Sequence, residues 1–437
     1  MNEEYSLEGN ELEAARAARL PGWGGGIPPI LVKGSGALVW DNQGNEYVDC
    51  TSQAWSLNVG FSHPKVLKAA VKQMDKLVHV RSSFDTYPHL ALSKKLAELT
   101  PGDWPKHVSF CLHGSLAIET AMKLALRQNN QGAFVTLYDG YHGRSFGALS
   151  LCWPHPNNAF LGFQGRVVRV PQAYCYRCYF GLEYPGCGLR CVKFTEEALD
   201  KAVDGRPLAF VMEPVQGNGG MIEFPREYYT AIRELCTRRG ILLIWDEIQT
   251  SVGRVGAMTA AELYGVAPDV IVFGKAIGGG FPLAGTVSRA DLEPLAPGDH
   301  GYTFGTFPVS MAAALATLEV MEEEHLLERC RTLGRQITAR LNELRDRYEL
   351  IGDVRGPGLM IGFELVKNKK TKEPAREEAH RFAEEGMKRG VIYGECKYRG
   401  LGNVVKIKPP LVISDGQLEK VLQVTAEITE QLSAVRH

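Results

Sequence analysis

The sequence of 437 residues contains 49 lysines and arginines and 50 aspartates and glutamates, so its formal net charge is −1. This balance excludes the strongly basic surfaces that bind nucleic acids or anionic membranes. No apolar run approaches the ~20 residues of a membrane-spanning helix, and the acidic N-terminus is unlike a signal peptide, so we expect a cytoplasmic protein without a membrane partner. The length predicts a large and a small domain.

In chain order, residues 1–60 are predicted to form an N-terminal segment that packs with the small domain. Residues 61–329 are predicted to form the large domain and residues 330–437 the small one. Within the first segment, Trp55 lies in the irregular loop TSQAWSLNVGFSHP. An aromatic residue in such a loop is either the wall of a binding pocket or a packed surface side chain, and the residues alone leave both open.

A short apolar strand stops at His113, and a long helix is predicted to start at Gly114 and Ser115. The first turn of a helix presents free N–H groups and the positive end of the helix dipole, which together favour an anion such as phosphate. Most Gly-Ser helix starts are ordinary N-caps, so this feature alone is weak evidence.

Four cysteines are crowded into a Gly/Pro-rich, aromatic stretch, residues 171–193, that we call the Cys-rich flap. Cys175, Cys178, Cys187 and Cys191 fall within 17 residues. This clustering is typical of a zinc or iron–sulfur site, although the last spacing is not that of a standard zinc ribbon. Reduced thiols or local disulfides are the alternative, and both remain open.

Two apolar runs, residues 241–245 and 270–273, predict buried parallel strands because they lack polar alternation. Asp246 follows the first run and Lys275 lies two residues past the second, so an amine and a carboxylate meet at the edge where α/β sheets bind ligands. Pyridoxal phosphate requires such a pair, an amine for a Schiff base and a carboxylate for its ring nitrogen. A plain ion pair is the alternative.

The segments WDEIQTSVGR and FGKAIGGGFPLAG resemble the lysine signature of the class III aminotransferases, pyridoxal-phosphate enzymes of fold type I. This resemblance implies an α/β fold: a mostly parallel sheet of seven-stranded type flanked by helices, plus a small α+β C-terminal domain. It implies Lys275 as the Schiff-base lysine and catalytic residue. It further implies Asp246 as the partner of the pyridine nitrogen and Gln249 as a hydrogen-bond donor to the ring 3-oxygen.

The resemblance extends to other cofactor contacts. It implies that Gly114 and Ser115 hold the phosphate, although Leu116 replaces the acidic residue usual at the next position. In these enzymes a threonine, here Thr303, binds the cofactor phosphate of the partner subunit. The resemblance therefore implies a homodimer, or a dimer of dimers, with composite active sites.

Residues at other strand ends match the family as well. Tyr141 stands where the family has an aromatic side chain that stacks on the cofactor ring, and His142 matches a histidine that supports the aspartate. Glu213 matches the glutamate of the family's Glu-Pro signature. The loop with Trp55 corresponds to one that borders the substrate pocket.

The sequence departs from the family on the substrate side. Lys406 stands where most members that process α-carboxylates have an arginine, and a lysine pairs with an anion as a point charge without the planar fork. Asn218 replaces the glutamate that gates this arginine. The usual switch between two substrates is therefore not expected here.

Three functions compete. The first is aminotransfer from an amine or amino acid to a 2-oxo acid, pyruvate or 2-oxoglutarate, by a ping-pong mechanism through Lys275. The second is racemisation or epimerisation of an amino acid, or a dialkylglycine-type decarboxylation, on the same scaffold. The third is a catalytically silent binding protein that uses the Cys-rich flap. The intact Lys275, Asp246 and phosphate loop argue against the third, and the family's common activity favours the first.

Overall fold

The computed structural model describes residues 7–18, 29–153, 166–201, 207–296, 298–395 and 402–434. The predicted N-terminal segment is therefore described only in part, because residues 1–6 and 19–28 lie outside these ranges. Within the described ranges no helix combines the length and the apolar composition needed to cross a membrane.

The strands are short and distributed along the whole chain. They are β1 Leu31–Ser35, β2 Leu38–Asp41, β3 Glu46–Asp49, β4 Lys106–Cys111, β5 Phe134–Leu137, β6 Val167–Val170, β7 Ala209–Met212, β8 Val215–Gln216, β9 Ile222–Glu223, β10 Leu242–Asp246, β11 Val270–Phe273, β12 Ala284–Arg289, β13 Ile351–Arg355, β14 Ile361–Leu365, β15 Val391–Ile392, β16 Gly394–Glu395 and β17 Val404–Ile407.

Helices separate most of these strands. They are Gly9–Ala18, Pro64–Met74, Tyr87–Leu99, Gly114–Gln128, Phe146–Leu151, Arg190–Lys201, Gly217–Gly220, Arg226–Arg239, Ala260–Tyr264, Pro308–Glu323, Leu326–Arg347, Arg376–Lys388 and Asp415–Ala434, with 3-10 turns at Cys175–Arg177 and Lys275–Gly278.

A seven-stranded sheet forms the centre of the molecule, in the order β4-β12-β11-β10-β7-β5-β6. Its strands are parallel except β12, which is antiparallel to both of its neighbours. The two apolar runs predicted as buried strands form β10 and β11 at its middle, where they pair in parallel. Apolar residues on both faces allow helices to cover both sides, so the expected α/β fold with a mostly parallel sheet is confirmed.

Two four-stranded sheets lie outside the central one. One has the order β1-β2-β3-β15, so a strand of the C-terminal part pairs with the N-terminal segment. The other, β13-β14-β17-β16, is antiparallel and belongs to the C-terminal part. The helix Leu326–Arg347 runs across the boundary placed at 329/330. The three-part division of the chain stays a prediction.

The direction of the central strands determines where their polar neighbours lie. Strands β4, β5, β7, β10 and β11 run the same way, so their carboxyl ends open on one edge of the sheet. The chain places His113, Tyr141, Glu213, Asp246 and Lys275 at or just beyond those ends. One edge thereby collects residues that are more than 150 positions apart in sequence.

Candidate active site

A cavity of about 380 Å³ opens at this edge of the central sheet. The predicted cofactor residues that line it together are Gly114, Ser115, Tyr141, His142, Glu213, Asp246, Gln249 and Lys275. Trp55, Asn218, Thr303 and Lys406 are not among its lining residues. The segment Gly280–Leu283, which also lines the cavity, was not predicted as a site although it lies within the lysine signature FGKAIGGGFPLAG.

Asp246 is buried and held by two fixed donors. Its Oδ2 lies 2.8 Å from His142 Nδ1, and the backbone N–H of Ile248 donates to its Oδ1 at 3.1 Å. Lys275 forms no ion pair with Asp246, although a plain ion pair was the alternative interpretation. The imidazole therefore orients the carboxyl group of Asp246 at the cavity wall.

Lys275 occupies the first position of a 3-10 turn directly after β11, with φ at +49°. A non-glycine residue in this left-handed region is uncommon and often marks a functional position. Displacement of water by the surrounding protein lowers the pKa of the amine, while the negative charges of Asp246 and Glu213 raise it in part. A larger fraction of the amine is thus unprotonated at neutral pH, the state required of a nucleophile.

Glu213 is buried in the wall of the cavity. Its carboxylate accepts hydrogen bonds from the backbone N–H groups of Tyr141 at 2.9 Å and Gly217 at 3.1 Å. The pKa of Glu213 is raised to about 7, mainly by burial and in part by the negative charge of Asp246. The charge of His142 and the two backbone hydrogen bonds oppose this rise. Glu213 therefore joins the loop that carries Tyr141 to the segment that carries Gly217, and its role is positional.

The helix Gly114–Gln128 begins at the cavity wall. Its N-cap residue, His113, is extended and makes no capping hydrogen bond through its side chain, so the first N–H groups face the cavity without that partner. Gly143 lies beside Ser115 with φ at +138°, and a Cβ there would stand 2.4 Å from Ser115 Oγ. A glycine is required at this approach, and the resulting cradle fits a phosphate group.

Gln249 presents a buried amide group to the cavity. Its buried Oε1 has no hydrogen-bond partner among the described residues, and a Cβ on Gly217 would come within 1.7 Å of that atom. Buried polar atoms normally have a partner, so a ligand with polar ring substituents fits this position. Together with the helix start, Asp246 and Lys275, the donor set matches pyridoxal phosphate, and these residues would hold it.

Beyond the lined cavity, Trp55 is 8% exposed, and the amino groups of three lysines lie around its ring. Lys275 Nζ lies 5.8 Å, Lys406 Nζ 5.2 Å and Lys408 Nζ 3.8 Å from the ring centroid. Lys408 was not among the predicted substrate residues. The alternation Lys406-Ile407-Lys408 could have identified it, because residues two apart on a strand face the same side.

The turn that carries Trp55 has an unusual backbone. The four residues of Ser52–Trp55 all have positive φ, between 42° and 67°. The ammonium of Lys408 donates to the carbonyl of Thr51 at 2.5 Å, and Arg254 Nη2 donates to Ser52 Oγ at 3.0 Å. Two buried cations thus hold the turn that presents the indole to Lys275.

The remaining predicted residues lie apart from the cavity. Thr303 is exposed, and Asn218 is half-buried in the helix Gly217–Gly220. The four flap cysteines surround a separate cavity and are free thiols. Over the described ranges, no three His, Cys, Asp or Glu side chains already form a group that could hold a metal ion. A metal at the flap stays a prediction.

Comparison with known proteins places these observations in a family. The model of the family "Aminotransferase class-III" matches residues 23–429. The leucine/methionine racemase of Thermococcus litoralis is 37% identical over 92% of this chain and 92% of its own length. The 5-aminovalerate aminotransferase DavT of Pseudomonas aeruginosa is 35% identical over 96% of this chain and 97% of its own.

Solved structures show the same architecture. A transaminase from the marine bacterium Virgibacillus superposes with a TM-score of 0.88 at 28% identity, covering 97% of this chain and 99% of that one. An amine transaminase from an uncultivated Pseudomonas species, in its PLP-bound form, gives a TM-score of 0.86 at 28% identity over 95% and 98% of the two chains. The chain belongs to the class III aminotransferases and is a pyridoxal-phosphate-dependent transaminase of fold type I.

Proposed function

We propose that this transaminase takes the amino group of a donor that bears a carboxylate and delivers it to a 2-oxo acid, pyruvate or 2-oxoglutarate, by a ping-pong mechanism through Lys275. The observation that carries the proposal is the convergence of Lys275, Asp246 and the helix start at Gly114 on one cavity. Bound there, pyridoxal phosphate supplies a ring that draws electrons from the substrate α carbon.

The residues of this chain have separate roles in proton transfer and in binding of the cofactor. The Lys275 amine, with its lowered pKa, accepts the proton from the substrate Cα and returns it to a neighbouring carbon. Asp246, oriented by His142, keeps a negative charge beside the ring nitrogen. The first N–H groups of the helix at Gly114 and the hydroxyl of Ser115 would hold the phosphate, and Tyr141 would contact the ring.

The substrate carboxylate is assigned to Lys406. Lys406 is 2% exposed and pairs in β17 with Gly362, and among the described residues it has no ion-pair partner. A buried ammonium with no counterion favours an incoming anion, because burial of an unpaired charge is costly. Asn218 is uncharged and cannot neutralise Lys406 as a glutamate would, so both substrates are expected to use their carboxylate at this position.

A homodimer, or a dimer of dimers, is the proposed assembly. Thr303 is exposed and lies outside the cavity of its own chain, as required of a residue that serves the partner's cofactor. Large apolar side chains are also exposed nearby, among them Phe304 at 47% and, on the segment that leads into the helix Tyr87–Leu99, Phe84 at 56%. Exposed apolar surface of this kind supports a subunit interface. Cytoplasmic location likewise stays a prediction.

Racemisation is the second candidate, and one observation favours it. The leucine/methionine racemase of Thermococcus litoralis and the isoleucine 2-epimerase of Lentilactobacillus buchneri, 35% identical to this chain, share the scaffold. A racemase returns the proton to Cα, whereas an aminotransferase moves it away from Cα and releases a carbonyl product.

A single-turnover experiment separates the two. The cofactor-loaded enzyme is mixed with one amino acid at a time, in deuterium oxide and without a 2-oxo acid. We expect one equivalent of oxo acid per active site, loss of the absorbance of lysine-bound cofactor, and its recovery on addition of pyruvate or 2-oxoglutarate. Conversion of one enantiomer to the other, with deuterium at Cα and without oxo acid, would instead establish the racemase. Release of carbon dioxide would identify a decarboxylase.

A further inference from the structure

The cavity inside the Cys-rich flap is lined by all four of its cysteines. The sulfur-bearing residues come from the turn at Cys175 and Cys178, from Cys187, and from Cys191 in the first turn of the helix Arg190–Lys201. All four are free thiols in this structure. We propose that they bind a single soft divalent cation, zinc being the best suited, as a structural site independent of the transamination chemistry.

The donor set selects the class of metal. Thiolates prefer zinc and other soft ions, whereas calcium and magnesium require oxygen ligands, and no carboxylate lines this cavity among the described residues. The cavity measures about 20 Å³, which is close to the space of one water molecule. Four thiolates complete the tetrahedral shell of one zinc ion.

The charges around the cavity suit a thiolate site. On binding, each of the four thiols releases its proton to solvent, so the filled site carries two positive charges from zinc and four negative charges from sulfur. Cys191 lies at the N-terminal end of its helix, where the helix dipole favours negative charge. Burial opposes this by raising the pKa of Cys175 and Cys191 to about 11, so the charge of the metal has to displace the protons. The thiols surround the cavity without an assembled ligand shell, and binding would draw them together.

The flap contains little regular secondary structure. Between residues 171 and 189 the regular structure is a single 3-10 turn, Cys175–Arg177. Isolated turn bonds supplement it, from Gly181 N to the carbonyl of Cys178 at 3.0 Å and from Cys187 N to that of Glu183 at 2.9 Å. Ordered segments of this length without secondary structure are uncommon, and a metal that joins four points of the loop would hold it.

The same turn contacts the C-terminal part of the chain. Tyr174 and Arg177 both donate to the fully buried carboxylate of Glu364 in β14, Arg177 Nε at 2.6 Å. Lys372 Nζ donates to the carbonyl of Tyr176 at 2.6 Å. Since Cys175 and Cys178 flank these contacts, a bound ion would fix the flap against the sheet that carries Lys406.

Metal content tests the proposal directly. The full-length protein is produced in zinc-supplemented medium, loaded with pyridoxal phosphate, purified under reducing conditions without chelator, and measured by elemental analysis. We expect about one zinc per chain. Cys178→Ala should reduce zinc to background, whereas the matched control Cys236→Ala, which removes a buried thiol outside the flap, should retain it. Cys178→His should retain zinc because imidazole is also a zinc ligand.

A second measurement decides the question if Cys178→Ala fails to fold. Chelator treatment of the wild-type protein should release the zinc, make four further thiols reactive towards a chromogenic reagent, and lower the thermal midpoint, with the cofactor absorbance retained. Wild-type protein without zinc, protein with iron and sulfide, disulfides among the four cysteines, or full zinc content in Cys178→Ala would each overturn the single-ion assignment.

Discussion

The cavity, which we call the cofactor end, and the cluster around Trp55 beyond its lining residues differ in how their charges are balanced. At the cofactor end, Asp246 is paired with His142 and Glu213 accepts two backbone N–H groups. At the other end, which we call the cationic end, Lys406 and Lys408 lie buried against Trp55. Neither lysine forms an ion pair within the described part of the chain.

The difference indicates which end is completed by the fold and which by a ligand. A buried charge is costly unless it is paired, and the fold itself satisfies the carboxylates of the cofactor end. At the cationic end two amines lie close together, and burial together with the charge of Lys406 holds the pKa of Lys408 well below its usual range. An anionic substrate would relieve this repulsion.

The cationic end also contains strained backbone. The cationic end rests on four consecutive residues in the left-handed region, Ser52–Trp55, a conformation that costs roughly 1–2 kcal/mol per residue. The strain persists because Lys408 and Arg254 bind the turn from the inside. Strained backbone that is held by buried cations is typical of a preorganised binding site.

The largest expected effect comes from the cofactor end. Lys275→Ala should reduce turnover by at least ~10³-fold, because it removes both the amine that attaches the cofactor and the group that moves the proton. Steady-state kinetics and the absorbance of lysine-bound cofactor measure the two losses. Lys388→Ala, at an exposed lysine of the C-terminal part, is the matched control and should behave as wild type. Multiple turnovers by Lys275→Ala would refute the assignment.

A smaller effect is expected at the cationic end. Lys406→Ala should weaken substrates with a carboxylate by about 1–3 kcal/mol, the value of a charge-assisted contact, and leave simple amines nearly unaffected. Comparison of kcat/KM for an amino acid and for the matching amine measures this difference. Lys406→Arg should restore the preference, because a guanidinium binds carboxylates with two hydrogen bonds. An equal loss for both substrates would show that Lys406 acts on the fold alone.

The cofactor end could be predicted from sequence because local signals determine it. Buried strands with polar residues at their carboxyl ends, such as β10 with Asp246, identify both the sheet and the edge where ligands bind. The hydrogen bond from His142 to Asp246 joins residues 104 positions apart, and the resemblance anticipated it.

Trp55 and Lys406 of the cationic end were predicted one by one from the resemblance, but their contact could not be predicted in the same way, because it is non-local. Trp55, Lys275 and Lys408 come from three distant segments, and no periodic pattern links a loop to a strand more than 350 residues later. The left-handed turn at Ser52–Trp55 contains no glycine that would have indicated positive φ. Tertiary contacts determine this conformation, and a single sequence does not encode it locally.

The smallest expected effect tests whether the cofactor end is complete within one chain. Thr303→Ala should weaken cofactor binding by about 1 kcal/mol, the value of one hydrogen bond, because the phosphate of the partner's cofactor loses a hydroxyl donor. Titration of the cofactor-free protein with pyridoxal phosphate measures the change. Thr306→Ala, which removes a mostly buried hydroxyl from the same loop, is the control for a general effect on folding.

A mixing experiment shows whether Thr303 acts on its own chain or on its partner. Thr303→Glu, whose charge would repel the phosphate, is mixed with the inactive Lys275→Ala under conditions that exchange subunits. If Thr303 serves the partner, one of the two sites in each hybrid dimer has both an intact Lys275 and an intact Thr303, and about a quarter of the wild-type activity per chain should return. If Thr303 serves its own chain, each hybrid site carries one of the two defects and mixing should restore nothing.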